Sequence, residues 1–118
     1  MTAITNLTQH NATPDQMAAG VVECSRQSEV RELLTFAALP TKEEIWDRAS
    51  KIANIARDEG ASHAMIGGAP YLMRPLEECL ESNQITPLYA FSVRESVENM
   101  GEDGVVRKVN VFKHSGFV

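Results

Sequence analysis

The spacing of apolar and polar residues changes period several times along this chain, and each change marks an element. Ala3-Ile4-Thr5-Asn6-Leu7 is short and partly β-branched, which predicts a first strand that ends in the polar loop Thr8-Gln9-His10-Asn11. A helix start follows, with Thr13 as N-cap, Pro14 at the first helical position, Gln16 as capping-box partner and Gly20 as the stop. Residues 21–40 carry two signals: Val21-Val22 fit a strand, whereas Val30, Leu33, Leu34 and Ala37 recur at helical spacing before Pro40. The spacing predicts a helix over 26–37.

The next helix has the clearest signature, because Thr41 with Glu44 makes a capping box and Ile45, Ala49, Ile52 and Ala56 form one stripe that ends at Gly60. Ser62 to Ile66 is mostly apolar and predicts a central strand, followed at once by Gly67-Gly68-Ala69-Pro70. Leu72, Leu76, Cys79 and Leu80 then share a helical face, with Asn83 as C-cap, and Ile85 to Ser92 predicts a third strand. Beyond it Ser92 to Glu98 alternates, Gly101-Glu102-Asp103-Gly104 is turn chemistry, and Val105 to Phe112 supplies a β-branched partner, which predicts a hairpin.

Strand, helices, strand, helix, strand, hairpin is an α/β order. It predicts a small Rossmann-like three-layer sandwich built on a three-stranded parallel sheet. The C-terminal β-hairpin is expected to extend that sheet or lie across its edge, within reach of a second subunit. At 118 residues, with 43% hydrophobic and 23% charged residues, the chain is one globular domain over 1–118.

Eleven Lys and Arg against 16 Asp and Glu give a net charge of -5, which argues against a long nucleic acid as partner but leaves room for a small anion in a local pocket. Cys24 and Cys79 have no Cys or His at metal-ligand spacing, so a reduced cytoplasmic compartment is expected, with no metal and no cofactor. No signal peptide and no long apolar run is present, so no membrane partner is expected.

In an open α/β sheet, ligands bind beyond the carboxyl ends of the parallel strands. Three loops are expected to converge there: Thr8 to Asn11, Gly67 to Pro70, and Ser92 to Ser96. Glycines let backbone N–H groups approach a phosphate, and the following helix turns its positive end to the same anion, although the pair Gly67-Gly68 also suits a plain strand-to-helix turn. His10 is the candidate acid or base, since an imidazole titrates near neutral pH, with a loop-stabilising role as the competing reading.

Arg94 is placed to grip a phosphate, or else to pair with Glu95 or Glu98, and Tyr71 is the stacking candidate. The ligand-binding set is thus Asn6, Thr8, Gln9, His10, Gly67, Gly68, Ala69, Tyr71, Ser92 and Arg94. Tyr89 and Phe91 are assigned to core or interface, His63 to structure, and Trp46 to the core edge or a subunit contact, while His114 stays open between a role and a plain exposed tail position. No Walker motif or G-x-S-x-G elbow occurs, and the acidic pairs Glu43-Glu44, Asp58-Glu59 and Glu77-Glu78 belong to solvated helix faces.

Asn6-Leu7-Thr8-Gln9-His10 with Thr13-Pro14-Asp15-Gln16 resembles the start of small CRISPR-associated Rossmann-like proteins, the group of ring nucleases and cyclic oligoadenylate binders. Ala64 to Met73 and Leu88 to Ser96 are similar to segments of uncharacterised short phage and prophage proteins. The resemblance implies a homodimer that holds a cyclic nucleotide immune signal across its two-fold axis, with Asn6, Thr8, Gln9 and His10 on the phosphate side. It implies sequestration of the signal or its metal-independent cleavage, as signal control or counter-defence. Sequestration is favoured, because no paired basic residues accompany that loop. The competing expectation is a structural or protein-interaction module without a ligand, and Gly68→Asp is the substitution expected to separate the two with the fold intact.

Overall fold

A computed structural model describes residues 2–118. The element order is β1 (Ile4–Asn6), α1 (Pro14–Ala18), β2 (Val21–Glu23), α2 (Gln27–Leu34), α3 (Lys42–Asp58), β3 (His63–Met65), α4 (Pro70–Ser82), β4 (Thr86–Leu88), β5 (Ala90–Met100) and β6 (Val106–Phe117). The first four strands form one parallel sheet in the order β2-β1-β3-β4, and β5 and β6 form a separate antiparallel pair. The architecture is α/β and Rossmann-like, with a C-terminal hairpin.

Alternation along the strands builds two unequal layers. Leu7, Ala64 and Ile66 face a core made with Val30 and Leu34 of α2, the Ala49 to Ala56 stripe of α3, and Leu72, Leu76 and Leu80 of α4. Ile4, Val21 and Met65 face the other way, onto Ala12, Leu88 and Phe117. The second layer is thin, since α1 buries none of its own residues.

The capping signals resolve into geometry of two kinds. At α1 the box is complete: Gln16 N–H donates to Thr13 Oγ1 at 3.2 Å, and Thr13 N–H donates to Gln16 Oε1 at 3.0 Å. At α3 only half forms, because Glu44 N–H donates to Thr41 Oγ1 at 3.1 Å while the Glu44 carboxylate binds Arg48 at 2.8 Å instead.

Three expectations are corrected. The parallel sheet has four strands, because Val21–Glu23 pairs with β1 as its edge strand. Only Val21 of β2 is buried, so the strand is too short and too exposed to leave a pattern of its own. The second helix of the chain's first half ends at Leu34 rather than at 37.

The expected strand over 85–92 is two strands in two sheets. β4 stops at Leu88, and the Tyr89 peptide turns to the C-terminal segment: its N–H donates to Val118 O at 2.7 Å and its carbonyl accepts from Val118 N–H at 2.9 Å. The hairpin therefore does not extend the parallel sheet, and its end packs on the sheet through Phe117, beside Ile4, Val21 and Met65. All of β5 is exposed, and the radius of gyration is 17.0 Å, where a compact chain of this length has about 13.5 Å.

His114, left open by the sequence, is half-buried rather than an exposed tail residue. A β-bulge near its strand end sets the ring against Phe117, with centroids 4.8 Å apart, and both ring nitrogens are buried without a protein partner.

Candidate functional site

The carboxyl ends of β1 and β3 open into a cleft of about 560 Å³, roofed by the Thr8–Asn11 loop, floored by Met65 to Gly68, and closed on one side by Tyr89 and Ala90 at the hairpin root. Thr13 and Gln16 at the start of α1 complete the wall. A slightly larger hollow of about 600 Å³ lies between α2 and α3, but there Arg26, Arg48 and Lys51 each pair with a neighbouring carboxylate, so its charges are already matched within the chain.

Asn6 builds the loop above the cleft. Its side chain is buried, and all four of its hydrogen-bonding positions are used. Oδ1 accepts from Thr8 N–H at 2.9 Å and from Thr8 Oγ1 at 2.7 Å, while Nδ2 donates to His10 O at 2.8 Å and to Glu23 Oε1 at 2.7 Å. The parallel pairing that sets Asn6 beside Glu23 makes the last contact available. Glu23 then accepts from Ala12 N–H at 3.3 Å as well, tying the far end of the loop to β2.

Two more side chains anchor the loop to α2. Gln9 Nε2 donates to Thr35 Oγ1 at 3.0 Å, and Asn11 Oδ1 accepts from Arg31 at 2.7 Å. Asn6, Thr8 and Gln9 are thus occupied in shaping the loop, and the His10 imidazole is the ring left exposed at the cleft with no side-chain partner among the described residues.

Gly67 and Gly68 bring the chain from β3 to the N-terminus of α4, where Ala69 is the cap residue and makes no side-chain cap bond. The N–H groups of Gln9, Asn11, Gly67, Gly68 and Ala69 meet no acceptor among the described residues. The two glycines differ. Gly68 has φ +141°, a conformation that L side chains rarely adopt, whereas a Cβ on Gly67 would meet only Thr8 Cγ2 at 3.8 Å, an ordinary contact. The expectation that Gly68→Asp leaves the fold intact is overturned by that backbone, and Gly67 is the position that accepts a side chain.

Five residues of the sequence-predicted set therefore line the cleft together: Thr8, Gln9, His10, Gly67 and Gly68. Asn6 stands behind them and Ala69 just beyond them. Tyr71 lies elsewhere, packed edge-on to Phe36 at 5.3 Å and half exposed in a hollow shared with Trp46 and Arg74. Ser92 and Arg94 are on the outlying hairpin, where the Arg94 guanidinium sits 5.4 Å from the Phe112 ring across the strand pair rather than on Glu95 or Glu98.

Sequence reasoning did not place Tyr89, Thr13 and Gln16 at the cleft. Tyr89 borders it while its hydroxyl donates to Glu77 Oε2 at 2.7 Å; burial first, then that hydrogen bond to a carboxylate, push its pKa up to about 12. No signal marked it, because only the departure of the chain from the sheet at Leu88 brings it there. Thr13 and Gln16 carried a capping signal that says nothing about a wall.

Among the described residues no three His, Cys, Asp or Glu side chains converge as a metal site, and no Lys, Arg, Asp or Glu lines the cleft. Its chemistry is that of neutral amides, hydroxyls, free backbone N–H groups and one imidazole beside an apolar floor. Such a surface offers hydrogen-bond donors beside an apolar floor and no fixed charge.

The chain matches the Uncharacterized protein MJ1673 family over residues 2–118. It belongs to that family. No curated protein and no solved structure matches it. Among the described residues of this family member, no helix is long and apolar enough to cross a membrane.

Proposed function

We propose that this protein binds a small nucleotide-derived signal, of the cyclic oligonucleotide type, in the cleft at the carboxyl ends of β1 and β3. The observation that carries the reading is the set of N–H groups without acceptors on two facing loops, Gln9 and Asn11 on one side and Gly67, Gly68 and Ala69 on the other. Backbone amides at the start of a helix suit a phosphodiester, which carries a single charge, and the absence of Lys or Arg from the lining disfavours a dense polyphosphate. The resemblance of Asn6 to Gln16 to cyclic oligoadenylate binders supports the same ligand class. Free thiols at Cys24 and Cys79 agree with work in a reducing cytoplasm.

Sequestration is the primary activity in this reading. His10 supplies the imidazole of the lining that a cleavage step would use. The test is a thermal-shift panel of cyclic dinucleotides, cyclic oligoadenylates and ADP-ribose derivatives, with each hit released by heat and separated by chromatography. A ligand at about 100 times its Kd adds about 2.7 kcal/mol of stability.

An intact released ligand supports sequestration, and a cleaved one assigns ring-nuclease activity that His10→Ala should abolish. Gly67→Asp sets a carboxylate among the free amides and is expected to remove the shift while unfolding stays cooperative. Unchanged affinity in that variant would refute the site. A flat response across the whole panel would favour the ligand-free interaction module, which the outlying hairpin also suits.

A further inference from the structure

We infer that the exposed face of the β5–β6 hairpin is a docking surface for a second copy of this chain. Two-stranded hairpins are at best marginally stable alone in water, yet this one runs Ala90–Met100 against Val106–Phe117 and is held to the body at its root, where Phe117 packs beside Ile4, Val21 and Met65 and the Tyr89 hydroxyl donates to Glu77 on α4. The register puts Val93, Glu95, Val97 and Asn99 on one face, opposite Lys113, Val111, Val109 and Arg107. Val97 and Val109 meet directly at the middle of that face. The four valines are each 37 to 40% exposed.

The area asks for a partner of one size. The chain exposes 7523 Å², whereas a compact monomer of its mass exposes about 6,300 Å². The excess, about 1,200 Å², is of the order that one partner buries in a stable interface, about 800 Å² or more.

The charge and symmetry of the face point to an identical copy. Residues 90–117 hold four basic and four acidic groups, so the whole net charge of -5 lies on the body. On the docking face Glu95 is balanced by Lys113, and Arg107 is already paired with Asp103 at 2.8 Å, so two hairpins meet with little net repulsion, while a polyanion, an acidic protein or an anionic membrane finds little net charge to grip. The face is also nearly self-complementary: each strand contributes two valines, Glu95 lies on one strand and Lys113 on the other, and neither has an ion-pair partner among the described residues. A two-fold axis along the strands lays β5 over the partner's β6 and brings Glu95 over the partner's Val111, one same-face pair from the partner's Lys113, with the reciprocal contact that an isologous interface requires.

Sedimentation equilibrium of the ligand-free protein tests this, so its outcome is independent of nucleotide binding. The expected result is a reversible dimer of twice 13.0 kDa at micromolar concentration. Val97→Glu and Val109→Glu should each raise the dimer Kd by roughly tenfold or more, since each buries a charge at the centre of the contact. Glu102→Lys, in the hairpin turn, should leave it unchanged. Val97→Thr preserves shape and strand propensity, and should weaken the dimer even if the Glu variants disturb the hairpin. A chain that stays monomeric at hundreds of micromolar overturns the inference, as does a dimer that both Val97 variants leave intact.

Discussion

Tyr89 joins three parts of the molecule through one side chain and one peptide. Its backbone pairs with Val118, its hydroxyl donates to Glu77 on α4, and its ring borders the cleft. Because burial and the carboxylate partner raise its folded pKa to about 12 from an ordinary value near 10, the stabilisation it contributes is fully present below about pH 10 and is lost as pH rises toward 12. Urea midpoints of the parent and Tyr89→Phe should therefore converge across that window, the variant having no phenol to ionise; parallel curves would show that this side chain is not coupled to folding. At the same scale Asn6 was legible only in part. Sequence marks a polar residue at the end of a strand, but its assignment to ligand contact gives way once four hydrogen bonds to Thr8, His10 and Glu23 saturate it.

At the scale of elements, helix starts were the most readable features, because a cap and its partner lie within four residues and need no tertiary contact. Thr41→Ala should cost about 1 kcal/mol in chemical denaturation by leaving the Glu44 N–H unpaired. Glu44→Ala should cost about 0.5 kcal/mol or less, since its carboxylate makes a partly exposed i,i+4 pair with Arg48 instead of closing the box. A Glu44 effect as large as that of Thr41 would show that the reciprocal bond forms in solution. Strands were harder to read. Each strand of the parallel sheet is three residues long, too short for alternation to declare itself, and β2 buries one residue only. The hairpin was legible because its strands are long and its turn residues local.

The whole molecule is a compact α/β body carrying an outlying hairpin, with overall extents of 56 × 37 × 22 Å. Two tiers of stability are expected from that shape. In the Val97→Glu variant at low concentration, amides of residues 92–98 should exchange with deuterium well before those of β1 and β3, which the principal core covers. Equal protection of both would mean that body and hairpin open as one unit.

The sequence by itself determined the α/β class, the main helices and their caps, the hairpin, and the two loops that share the cleft, because those depend on local spacing, turn chemistry and strand-end position. Only the tertiary structure decided that β2 is a fourth strand, that the chain leaves the sheet at Leu88, and that Ser92, Arg94 and Tyr71 stand away from the cleft. The reason is physical: a three-residue strand and a one-residue change of sheet are stabilised by partners far along the chain, Asn6 with Glu23 and Tyr89 with Val118, and no window of neighbouring residues contains both members of either pair.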